Sequence, residues 1–121
     1  KGISIRNSKN TTLAENSLLY NNASCGYAMG CEAYVHGISL TNVSDSLISK
    51  NALGPNYVAC TGNLCVKSSY GLILHNSSKN TLYNNTINSN HYGIAVGFTS
   101  IDNQINNNDF ISNQYGLKRK Q

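Results

Sequence analysis

Three imidazoles, four thiols and five carboxylates are the side chains in this sequence that could bind a metal, form a covalent bond or move a proton. Cleaving a glycosidic bond takes two carboxyl groups facing one another across the substrate. The carboxylates are Glu15, Glu32, Asp45, Asp102 and Asp109. Only Asp45 and Asp102 fall at a common position of the repeat described below, with Lys79 in the copy between them, and their separation exceeds what either hydrolytic mechanism uses. His36, His75 and His91 fall at three different repeat positions, which argues against a copper or zinc cluster. Serine is abundant, but no His–Asp partnership accompanies it, so a serine nucleophile is unsupported. The expectation is a protein without catalytic residues, metal or cofactor.

The thiols are Cys25, Cys31, Cys60 and Cys65. Four cysteines allow three disulfide connectivities. Pairing Cys25 with Cys31 and Cys60 with Cys65 is favoured, because each bond would pin one protruding loop on a short closure. Pairing Cys25 with Cys60 and Cys31 with Cys65 across neighbouring turns stays open. The C-x5-C and C-x4-C spacings are looser than structural zinc sites prefer. Oxidised cysteines point to an extracellular or cell-surface address. Five Asn-x-Ser/Thr sequons, at Asn10, Asn22, Asn42, Asn76 and Asn84, are possible glycosylation sites in that setting.

The elements that must carry these groups emerge from a repeat. Of 121 residues, 20 are Asn, and only 12% are charged. Disordered chains are rich in charge and Pro, and this one has a single Pro while keeping its β-branched and aromatic residues. Short apolar alternations open at Gly2, Gly37, Gly71 and Gly93, with a truncated copy at Gly116. Apolar anchors follow at Leu13, Ile48, Leu82 and Ile105, then at Leu18, Leu53, Ile87 and Phe110. Between and after them run two asparagine series: Asn16, Asn51, Asn85 and Asn108, and Asn21, Asn56, Asn90 and Asn113. Glycine spacings of 22 and 23 residues at the C-terminal end grow to 35 and 34 earlier, and the excess lies at one place in the unit, about 21–35 and 56–69.

Three short strands per unit, each broken by Asn, Ser or Gly, describe a single all-β domain over 1–121. It is a parallel β-helix of four to five turns with two corner insertions. Equivalent residues of successive turns then stand about 4.8 Å apart, so Leu and Ile columns form the core and Asn columns form hydrogen-bonded ladders. Asn suits the corners because it tolerates left-handed backbone. Tyr70, Tyr92 and Tyr115 precede repeat glycines, with His36 at the equivalent earlier place, forming an aromatic column that is a possible glycan platform. Glu15 and Lys50 occupy equivalent places and should pair at the surface.

Units such as "YGLILHNSSKNTLYNNTINSN" and "YGIAVGFTSIDNQINNNDFISNQ" resemble the parallel β-helix repeats of the family of carbohydrate-binding proteins and sugar hydrolases, especially its NosD-like copper-accessory and archaeal surface-protein branches. The resemblance implies a right-handed coil, an extracytoplasmic address, and core positions at Ile3, Ile5, Leu13, Leu18 and their equivalents. It implies clustered metal ligands for copper delivery, or carboxylates on an exposed sheet for polysaccharide cleavage, and the sequence matches neither set.

The sequence begins at Lys1 with a full first strand and ends at the start of a further turn, which suggests a processed chain or an excised segment. Two functions follow as expectations. One is a secreted structural subunit stacking head to tail into a filament, with Gly2, Ile3 and Ile5 of one copy meeting Gly116 and Leu117 of the next. The other is a polysaccharide-binding or -modifying segment of a larger secreted protein. No nucleic-acid surface is expected, since the net charge is +4 and three of nine basic residues crowd the last four positions. No apolar run reaches the length of a transmembrane helix.

Overall fold

A computed structural model describes residues 2–26, 32–61 and 66–120. Among these residues the chain forms β1 (Ile3–Lys9), β2 (Thr12–Ala14), β3 (Ser17–Leu18), β4 (Asn22–Cys25), β5 (Glu32–Ser44), β6 (Leu47–Ser49), β7 (Ala52–Leu53) and β8 (Tyr57–Cys60). It continues with β9 (Val66–His75), β10 (Thr81–Tyr83), β11 (Thr86–Asn88), β12 (Tyr92–Val96), β13 (Gln104–Asn106), β14 (Asp109–Ile111) and β15 (Tyr115–Arg119). The strands assemble into parallel sheets ordered β1-β5-β9-β12-β15, β2-β6-β10-β13 and β3-β7-β11-β14, with β4-β8 as a separate pair. Each turn of the chain visits the three main sheets in order, which defines a right-handed parallel β-helix.

The register is that of the sequence repeat. Leu82 pairs with Ile48 and Ile105, and Ile87 with Leu53 and Phe110. Ile38, Leu40, Ile48, Leu53, Leu72, Leu74, Leu82, Ile87 and Ile94 are fully buried, while Ile5, Leu13, Leu18 and Ile105 in the outer turns are only partly covered. A single turn has no second layer, so its inward side chains are shielded by the turns above and below.

The repeat glycines serve close approach rather than unusual backbone. A Cβ on Gly37, Gly71 or Gly93 would stand 2.6, 2.7 or 2.5 Å from the carbonyl oxygen of the next glycine in the column. Corners impose the opposite demand. Fourteen non-glycine residues among those described have positive φ, and they recur at equivalent places: Asn7, Asn42 and Asn76; Asn10, Asp45, Lys79 and Asp102; Glu15, Lys50, Asn84 and Asn107; Tyr20, Ser89 and Ser112. Asn and Asp take this conformation readily, whereas at Lys79 or Glu15 it costs about 1 kcal/mol or more.

Asparagine ladders lock the corners. The backbone N–H and the Nδ2 of Asn51 both donate to Oδ1 of Asn85 at 3.0 Å, and Asn85 donates in the same way to Asn108 at 2.9 Å. Nδ2 of Asn85 also donates to the carbonyl of Ile48. The second ladder runs from Asn21 through Asn56 and Asn90 to Asn113. No buried side-chain nitrogen or oxygen among the described residues lacks a partner.

The two long turns depart from the coil at one corner. In each, a short strand (β4 or β8) leaves the corner and the chain returns along the first half of β5 or β9. Ala33, Val35 and Val58, joined by Ala23 and Cys25, form a small core of their own. The result is a two-layered fin attached to the first two turns and missing from the next two.

Cys25 and Cys60 are each disulfide-bonded, and it is the pairing of one with the other that requires correction. No disulfide bond joins two of the described residues, so the cross-turn pairing of Cys25 with Cys60 is not present even though they are register partners in β4 and β8. In-register parallel neighbours hold their Cβ atoms at the strand spacing, about 4.8 Å, which is wider than the roughly 3.8 Å of a disulfide. Neither Cys25 nor Cys60 is a free thiol, while Cys31 and Cys65, needed for the loop pairings, lie outside the described residues.

Two stability outcomes follow. Asn85→Ala strands the N–H of Asn51 and the carbonyl of Ile48, and should lower the unfolding free energy by about 2–4 kcal/mol in urea titrations, against under about 0.5 kcal/mol for Asn106→Ala, at an exposed position with ordinary strand backbone. Lys79→Asn relieves left-handed strain at an exposed corner and should raise stability by about 0.5 kcal/mol in the same measurement.

Candidate functional site

The fin borders a concavity. Because the last two turns lack insertions, their corner lies open beside the fin, and a cleft of about 590 Å³ forms between the two. Tyr57, Val58, Lys67, Ser68 and Ser69 line it from the fin side, and Ser89, Asn90, His91, Ser112, Asn113 and Gln114 from the bare corner. Asn56 and Asn90 are ladder residues, so the floor is held by the same bonds that hold the coil.

The wall and floor are tied directly. The backbone N–H of His91 donates to Oγ of Ser69 at 2.9 Å, and Nδ1 of His91 lies 3.4 Å from Oγ of Ser68. Burial, helped by nearby Lys118, lowers the pKa of His91 below its ordinary value, so the ring is neutral at pH 7. Tyr57 projects from β8 with 64% of its surface exposed. The cleft therefore offers hydroxyls, amides, one imidazole, one exposed phenol ring and the ammonium of Lys67, and no carboxylate lines it. This chemistry suits a polyhydroxylated ligand.

The aromatic column stands next to this cleft. The rings of His36 and Tyr70, Tyr70 and Tyr92, and Tyr92 and Tyr115 stack at centroid separations of 5.5, 5.1 and 5.4 Å. Stacking turns the ring faces toward one another, and Tyr70 is 3% exposed while Tyr115 is 48% exposed. Lys118 lies over Tyr92 and Tyr115, and Lys120 over Tyr70, at cation–π distances. A sugar would thus find ring area at Tyr115 and little at Tyr70.

Other residues singled out in the sequence are dispersed. Gly2, Ile3 and Ile5 sit on the first turn and Gly116 and Leu117 on the last, at opposite ends of the largest sheet. The sequon residues Asn10, Asn22, Asn42, Asn76 and Asn84 are all exposed. Two of them are engaged, since Nδ2 of Asn42 donates to Asn7 at 2.8 Å and Nδ2 of Asn76 donates to Asn42 at 2.7 Å. Glu15 and Lys50 form the expected surface pair at 3.4 Å.

Sequence reading passed over this outer ladder of Asn7, Asn42 and Asn76, although each lies five residues after a repeat glycine. It also passed over an inner column in which Thr11 donates to Ser46, Ser46 to Asn80 and Asn80 to Asn103, because three residue types share the place. The cleft itself had no sequence signal, since its two sides belong to different turns.

Fold and cleft together define a parallel β-helix scaffold with a polar cleft at an insertion corner. A family model described as "Periplasmic copper-binding protein (NosD)" matches residues 1–121, and the chain belongs to that family. The family assignment supports a non-cytoplasmic address. No curated protein and no solved structure matches the chain. No helix among the described residues is long and apolar enough to cross a membrane.

The described residues do not fit a copper centre. No group of three or more His, Cys, Asp or Glu among them is placed to hold a metal ion. Lys120 lies near both His36 and His75 and disfavours further positive charge there.

The histidines predict a pH dependence. Burial lowers the pKa of His36 first, with His75 and Lys120 adding to it, and burial followed by Lys120 lowers that of His75. Unfolded imidazole titrates near 6.5, so below that pH the unfolded state takes up protons before the folded one. Stability should be full above about pH 7 and fall as pH drops through 6 to 5. His36→Gln should flatten that fall in thermal melts recorded across the range.

Proposed function

We propose that this chain is a glycan-binding β-helix module of a periplasmic or secreted protein, and that the cleft between fin and bare corner is its site. The observation that carries this reading is the composition of the cleft. Serine, asparagine and glutamine side chains converge on a space of about 590 Å³ with Tyr57 at its edge, within the roughly 300–1,000 Å³ usual for ligand clefts. Hydroxyl-rich ligands need many donors and acceptors set in advance, because each unmatched group costs desolvation. The ladder supplies that rigidity. Tyr57 supplies apolar ring area for the C–H face of a pyranose. With no facing carboxylates in the cleft, the reading is of binding without cleavage.

The test is titration of the purified chain with a panel of soluble oligosaccharides, followed by amide and side-chain NMR shifts. Shifts should map to Tyr57, Ser69, His91 and Gln114. Tyr57→Ala should weaken binding about three- to tenfold, while Tyr83→Ala on a distant sheet should leave it unchanged. A panel giving no binding at all overturns the reading.

Head-to-tail stacking is the second reading, favoured by one observation. The apolar columns are incompletely covered on the outer turns, with Leu117 56% exposed and Ile3, Ile5, Leu13 and Leu18 partly so. Further turns of a longer polypeptide would cover the same surfaces. Sedimentation over a hundredfold dilution separates the two: concentration-dependent polymers support stacking, and a constant monomer removes it.

A further inference from the structure

Lys67 is the one fixed charge among the described residues that line the cleft. It pairs in register with Ala33, whose side chain is buried inside the fin core, so Lys67 projects on the same side of the sheet as the cleft. The fin's carboxylate, Glu32, is one residue out of phase and therefore points to the opposite face, where Tyr34 donates a 3.4 Å hydrogen bond to it. The ion pairs among the described residues are Lys9 with Asp45 and Lys50 with Glu15, so no carboxylate among those residues is paired with Lys67. On the other side of the cleft Lys118 stands close enough to His91 to help lower its pKa, adding a second positive charge near the floor. Asp109, in the last turn, does not line the space.

A cation left without a counter-ion at the wall of a hydroxyl-binding cleft is poised for an anion on the ligand. Resting on the glycan-binding reading, we propose that the ligand class is an acidic glycan, whose carboxylate or sulfate group meets the ammonium of Lys67 while its ring hydroxyls meet the Ser, Asn and Gln side chains. Because Lys67 is solvent-exposed, the charge contributes selectivity more than affinity. The preference falls with salt, as for any pair screened over a Debye length of about 8 Å at physiological ionic strength.

The experiment compares a galacturonate tetrasaccharide with its fully methyl-esterified form, identical in ring and hydroxyls but with each carboxylate replaced by a neutral methyl ester. At 20 mM salt the acid should bind the wild-type chain about fivefold more tightly than the ester, the upper end for an exposed ion pair. Lys67→Gln should bring the acid down to the ester's affinity for the same variant, and 0.5 M NaCl should abolish the difference in the wild type. Equal binding of acid and ester overturns the acidic preference while leaving glycan binding intact. Failure of both, with binding to other sugars of the panel, also overturns it. Failure of every sugar removes both readings together.

Discussion

Parallel in-register stacking at one strand spacing is the constraint on which the rest of the molecule depends. Each turn buries its Leu and Ile only because the next turn sets the same residue directly above. A slip of one residue would turn every inward side chain outward, so register is specified by the core itself. The asparagine amide reinforces it with a bond that has direction: one Oδ1 accepts both the backbone N–H and the Nδ2 of the turn before. The ladder from Asn16 to Asn108 makes that double contact at every step, and a column holding another residue type at one level would break it.

Tight stacking also accounts for where variation is allowed. At the glycine column the turns approach too closely for a Cβ, and at the ladders the amide is required. The corner after the second ladder carries neither demand, and both insertions leave there. Their strands β4 and β8 repeat the logic of the coil on a smaller scale, pairing in parallel and burying Ala33, Val35 and Val58. Having insertions on two turns and none on the following two gives the scaffold a step, and the step is the cleft.

The family name and the chain's chemistry diverge in an instructive way. The family model matches the whole chain, and the repeat within it is made of core and ladder residues that encode the coil. His36, His75 and His91 are not among them. His36 stacks on Tyr70, His91 ties the floor of the cleft to its wall, and His75 lies beside the Lys120 ammonium. Each has a local role, and together they make no ligand set among the described residues.

Most of the coil was legible in the linear chain, because a solenoid converts sequence period into spatial neighbourhood: Leu82 over Ile48 and Asn85 over Asn51 are statements about spacing alone. Columns of mixed type, such as Thr11, Ser46, Asn80 and Asn103, escaped because hydrogen-bonding equivalence is not residue identity. The sequence by itself determined fold, register, core and the place of the insertions. Only the tertiary structure decided that β4 pairs with β8, that the fin stands beside a bare corner, and that Lys67 faces the cleft while Glu32 faces away. Those outcomes turn on packing between segments of unequal length, where no period links one residue to its neighbour in space.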